Sequence, residues 1–105
     1  MTRLALLACL LLAACERSPG PYAEVEPIIA SRCLSCHAAA PTDPDFDAPP
    51  LGMVFETPEQ VKRAAVRIKA LAVTTDAMPV GNKTGMTAAE REALGRWIDA
   101  GAPIE

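Results

Sequence analysis

Apolar positions along the chain fall into three helical stripes separated by stretches in which no period holds. Val25, Ile28, Ile29 and the Arg32-Cys33 pair recur three and four positions apart, which predicts a first helix running up to Cys33. Pro27 is tolerable in its first turn, where the missing N–H would have had no partner. Residues 38–56 then break the pattern, and Pro41, Pro44, Pro49 and Pro50 favour an irregular loop. The period returns after Thr57-Pro58-Glu59-Gln60. That stretch reads as a helix start, with Thr57 as N-cap, Pro58 at the first helical position and Gln60 placed to close a capping box. Val61, Ala64, Ala65, Ile68 and Leu71 or Ala72 form the apolar stripe of this second helix. Lys62, Arg63, Arg67 and Lys69 fall mostly off it and predict a solvated face rather than a docking patch for an acidic partner. A third helix opens in the same way at Thr87-Ala88-Ala89-Glu90, buries Leu94, Trp97 and Ile98, and stops at Gly101 and Pro103. Trp97 is expected in the core. No strand pattern of comparable strength and no internal repeat occurs, so the fold class is all-α.

Composition changes this picture in one respect. One Trp, one Tyr and two Phe among 105 residues leave few large side chains for a core, and a domain this small usually needs a staple or a cofactor. The net charge of −3 and the pI near 5.1 give no electrostatic footprint for nucleic acid or an anionic membrane surface. Asp43, Asp45 and Asp47 alternate as in a calcium loop. Ala48 stands where that loop needs Gly and Val54 where it needs Glu, so a solvated acidic loop is the better reading.

The first residues carry a different message. Arg3 precedes the apolar run Leu4–Ala14, which is well short of the roughly 20 residues that span a bilayer and reads as an export signal. Leu12-Ala13-Ala14-Cys15 resembles the bacterial lipobox. That resemblance implies cleavage before Cys15, acylation of its thiol, and residence on the periplasmic side of a bacterial membrane; the alternative is an ordinary signal cut at a small residue nearby. The chain then divides into a signal at 1–14, a lipidated cysteine with a short linker at 15–22, and a domain at 23–105. Glu16 to Pro21 reach about 20 Å when extended, which keeps the domain close to the membrane.

With Cys9 removed in the signal and Cys15 acylated, the domain keeps two thiols, both in Cys33-Leu34-Ser35-Cys36-His37 beside the sole histidine. A disulfide closing so short a loop constrains the unfolded chain little and leaves His37 unexplained. Zinc needs four ligands, and no further Cys or His completes the set. A thioredoxin-type pair expects a βαβ context that is missing. C-x-x-C-H as a c-type haem attachment site remains. Two thiols three positions apart at a helix end can reach the two vinyl groups of one porphyrin edge, while the adjacent imidazole binds iron from below. Cys33 and Cys36 are the expected thioethers and His37 the proximal ligand of one covalently bound haem.

A single histidine excludes bis-histidine ligation within one molecule. Methionine is the leading sixth ligand, since a His/Met pair raises the reduction potential. Met78 lies in a Pro- and Gly-punctuated loop, Thr74–Gly85, between two helical patterns, and is preferred. Met86 precedes a helix cap and reads as a packing residue; Met53, after Pro49-Pro50-Leu51-Gly52, is the least favoured.

A helix ending in Cys33–His37, a Pro-rich loop, a middle helix, a methionine loop and a last helix carrying Leu94-Gly95-Arg96-Trp97-Ile98-Asp99-Ala100-Gly101 resemble the class I cytochrome c fold. The resemblance covers nearly all of the domain and implies three main helices wrapped around the haem. It also implies that a carbonyl from Pro49 or Pro50 orients His37, and that Asn82 helps to hold the Met78 loop. The stretch Pro49–Pro103 further resembles the cytochrome c domain fused to membrane-bound bacterial urate oxidases. The membrane part of those enzymes is missing from this sequence, so urate chemistry does not carry over.

These readings imply an electron carrier, not an enzyme, serving redox partners at or near the membrane such as a dehydrogenase or oxidase. The alternatives are a haem subunit of a larger oxidoreductase, or an open-site haem protein sensing a gas or peroxide. The chain lacks a distal histidine for peroxide chemistry, which favours the carrier.

Overall fold

Ile29 is 1% exposed, and Val25, one turn earlier, is fully buried, so the first apolar stripe faces a core. They sit on and beside helix α1, Glu26–Arg32, which has Pro27 in its opening turn. The computed structural model describes residues 20–105; the signal at 1–14, Cys15 and the linker up to residue 19 lie outside the described residues. A short 3₁₀ turn, Pro21–Glu24, leads into α1 and buries Tyr22, whose ring meets Trp97 edge-on at 5.5 Å between centroids. Among the described residues, packing therefore already includes Tyr22, within the stretch that reads as linker.

The proline-rich segment is irregular as expected, apart from a 3₁₀ turn at Pro50–Gly52. Both capping boxes are closed. Thr57 accepts from the Gln60 N–H at the head of α2, Pro58–Arg63, and Thr87 accepts from the Glu90 N–H at the head of α4, Ala88–Asp99. The Gln60 and Glu90 side chains return the bond to the cap residues, and each such cap contributes about 1 kcal/mol.

The second helix is not continuous. α2 gives way at Ala64, whose φ of −92° and ψ of 2° lie outside the helical range, to a one-turn α3, Ala65–Ile68. A π-turn, Lys69–Val73, follows, closed by the Thr74 N–H on the Lys69 carbonyl at 2.8 Å. Val61, Ala65, Ile68 and Ala72 nonetheless stay on one buried face. Periodicity reads which side of the chain is apolar, not whether each backbone bond is helical, so both breaks escaped it. The widened turn brings Val73 close to α4: a Cβ at Gly95 would lie 2.9 Å from Val73 Cγ1, so only glycine fits this approach.

The basic face of this region is largely exposed, as its spacing predicts, and two of its side chains also make tertiary contacts. Lys62 Nζ donates to the Gly101 and Ala102 carbonyls, and Lys69 pairs with Asp99. Both side chains tie the middle segment to the end of α4, where Gly101, at φ 98°, turns the chain so that the Ala102 N–H returns to the Trp97 carbonyl. Trp97 is core, as expected, and its indole N–H donates to the Pro103 carbonyl at 2.8 Å. The described residues are helical and irregular with no strand, and none of their helices is long and apolar enough to cross a membrane.

Candidate functional site

The backbone does not stop turning where α1 ends. The Cys33 N–H bonds back to Ile29 at 3.0 Å and the His37 N–H to Cys33 at 2.9 Å, so Cys33–His37 makes one more turn. That turn carries Cys33, Cys36 and His37 onto the wall of a cavity of about 220 Å³. Other parts of the wall come from Phe46, Met53 and Phe55, from Ile68, Leu71 and Ala72, and from Met78 with Pro79 and Val80. Apart from a few cations at its edge, the lining is apolar. Both thiols are free, and burial pushes the Cys33 thiol up to about 11, with the nearby Cys36 a lesser cause. Cys33 is therefore protonated at neutral pH.

His37 is fixed by the segment that follows the Pro50–Gly52 turn. Its Nδ1 lies 2.9 Å from the Met53 carbonyl oxygen. A carbonyl only accepts, so Nδ1–H is the donor, and in the neutral tautomer that this selects, the lone pair lies on Nε2. This corrects the expectation that Pro49 or Pro50 supplies the carbonyl: Met53 is extended, at φ −84° and ψ 113°, and the partner shifts along the chain. Phe55, two residues further, stacks on the imidazole at 4.7 Å between centroids, and its N–H bonds the His37 carbonyl at 2.8 Å. Sequence reasoning passed over Phe55; the spacing of Met53 and Phe55 in extended backbone, two residues apart and so on one face, was the available signal.

Met78 and Met53 both line the cavity, whereas Met86 is 4% exposed in the core and absent from the lining. Met53 is attached to the segment that holds His37, and Met78 comes from a separate part of the wall. The Met78 N–H bonds the Leu71 carbonyl at 2.8 Å, and its own carbonyl accepts from Arg91 Nη1 at 2.8 Å. Arg91 Nη1 also reaches the Ala72 carbonyl at 2.7 Å. The Asn82 amide brackets the Met86 backbone, donating to its carbonyl and accepting from its N–H. Sequence analysis did not single out Arg91.

Three cations stand on the lining. Arg32 pairs with Glu90 at 3.1 Å and donates to the Thr84 carbonyl, while the Thr84 hydroxyl returns to the Arg32 carbonyl at 2.9 Å. Lys83 pairs with Asp43 at 2.8 Å and Asp45 at 2.9 Å; Asp43 is withdrawn from solvent by the pairing, while Asp45 stays exposed as the solvated-loop reading expects. The Lys83 ammonium and the Asp45 N–H hold the Asp43 carboxyl below its ordinary range. The third, Arg67, has no hydrogen bond or ion pair among the described residues and also edges a shallower groove beside Phe55, Gln60 and Arg63.

Chemically, the set is two thiols, one imidazole and the thioethers of Met53 and Met78 around an apolar space. No group of three or more His, Cys, Asp or Glu side chains able to hold a bare metal ion occurs among the described residues. Soft sulfur and imidazole donors on apolar walls fit the iron of a flat hydrophobic macrocycle, and thiols suit covalent attachment to its edge. Comparisons with protein-family models, with characterised proteins and with solved structures return no match for this chain.

Proposed function

We propose that this chain is a monohaem c-type cytochrome that transfers single electrons between redox partners at or near a bacterial membrane, held there by lipid on Cys15. One observation carries the reading: Cys33, Cys36, His37 and Met78 share the wall of one apolar cavity. In this reading Cys33 and Cys36 would hold the porphyrin through thioethers, and His37 and Met78 would ligate its iron. The haem, when bound, supplies the one-electron iron couple.

The chain's own residues supply the rest. The Met53 carbonyl keeps the proton on Nδ1 of His37, which leaves Nε2 as the metal-binding nitrogen and raises its basicity. Phe55 limits rotation of the ring. Ile68, Leu71 and Ala72 line the cavity with apolar surface that would exclude water from a bound macrocycle. The carboxylates of such a group would call for a cation on the lining. Arg32 is next to Cys33 and pairs with Glu90, Lys83 pairs with Asp43 and Asp45, and both cations are already neutralised. Arg67 is the lining cation left to meet a carboxylate.

Optical spectra of the holoprotein and of Met78→Ala test this reading. The protein should retain haem after acidic solvent extraction and give a low-spin spectrum with the weak far-red band of sulfur-ligated ferric haem. Met78→Ala should lose that band and bind carbon monoxide in the ferrous state. Extractable haem would remove the reading. A high-spin wild type that binds carbon monoxide readily would replace it with an open-site haem protein.

A further inference from the structure

Met78 is anchored through its backbone at both sides, and one of those anchors comes from another helix. Arg91 Nη1 donates to the carbonyls of Ala72 and Met78, which mark the two ends of the excursion 72–78, and Nη2 lies 3.4 Å from Asn82 Oδ1. Asn82 in turn brackets the Met86 backbone. One guanidinium thus gathers the end of the π-turn, the methionine and the turn that follows it. Its place in α4 is locally unfavourable, because a cation in the first turn opposes the helix dipole. Tertiary contact, rather than helix chemistry, accounts for an arginine there.

We infer that Arg91 is a positioning residue that keeps the Met78 sulfur at the iron and sets how readily an outside ligand displaces it. The inference rests on the His37/Met78 ligation proposed above. Displacement requires the 72–82 segment to open, and opening breaks the three Arg91 contacts together. Arg91→Gln removes the charge and the fork that spans them.

The test is imidazole titration of the ferric holoprotein, comparing wild type with Arg91→Gln, Arg91→Lys and Thr87→Ala. Thr87→Ala loosens the same helix by removing its cap but leaves every Met78 contact in place. Arg91→Gln should bind imidazole about tenfold more tightly, equivalent to about 1.4 kcal/mol of lost closure, with a weakened far-red band. Arg91→Lys should fall between it and wild type, since one ammonium cannot span all three oxygens. Thr87→Ala should keep the wild-type affinity. If Arg91→Gln yields no holoprotein, Arg91→Lys alone must bind imidazole more tightly than wild type. Wild-type affinity in the Arg91 variants, or an equal gain in Thr87→Ala, overturns the inference while leaving the ligation intact. A wild type lacking the far-red band removes both.

Discussion

His37 can offer a single nitrogen to the cavity because the Met53 carbonyl occupies the other. The residues that bear the proposed chemistry were legible in the sequence: the spacing of Cys33, Cys36 and His37 is local, and Met78 stood out by its loop. The residues that hold them were not. Phe55 and Arg91 act through contacts that no short window contains, and the carbonyl partner of His37 depended on how the chain leaves the Pro50–Gly52 turn. Tyr22 is a similar case, read as linker but packed on Trp97. Desolvation, with the Glu26 charge a lesser cause, pushes its phenol up to about 12 from an ordinary 10. The folded state therefore favours the neutral phenol; that stability is complete below pH 10 and is lost as pH rises toward 12. As the sole tyrosine, it gives a clean phenolate absorbance. A rapid pH jump read before unfolding should place its midpoint near 12, and a midpoint near 10 would mean that the ring is exposed.

At the scale of elements, start signals were the most legible features, because a capping box is written in four consecutive residues. Both boxes form as their sequences indicate. The interior of the second helix was less so: its apolar stripe survives two breaks in hydrogen bonding, and the close approach of Val73 to Gly95 is settled only by tertiary packing. Glu90 joins elements that a cap alone would not. Its carboxylate serves the Thr87 N–H and also Arg32 of α1, and these partners hold it below the usual carboxylate range. A depressed acid contributes stability that is complete above its unfolded pKa, about 4.5, and is lost as pH falls through the folded value. Denaturant unfolding should therefore show stability falling as pH drops below about 4.5, and Glu90→Gln should flatten that acid limb. An unchanged slope would place the acid sensitivity elsewhere, with Asp43 the next group to test.

Across the whole molecule, the all-α class was legible from periodicity, whereas the cavity was not, because its walls come from segments far apart in sequence. Two arginines set its shape from opposite directions: Arg32 reaches from α1 to Thr84 and Glu90, and Arg91 reaches from α4 to Ala72 and Met78. The segment between Met78 and Thr87 is held by both. Membrane association belongs to this scale too. Replacing Cys15 with Ser should move haem-loaded protein from the membrane to the soluble fraction, and unchanged membrane association would refute the lipid anchor.

The spacing of these walls along the chain also sets an order in time. Arg32 and Glu90 meet across 58 positions, and Met78 follows His37 by nearly half of the described residues. A polypeptide emerging N-terminus first presents its two thiols and its imidazole before any residue of the facing wall has been made. Cys33 and Cys36 would therefore have an interval of free access to the proposed attachment, before Ile68, Leu71 and Met78 complete the wall that faces them.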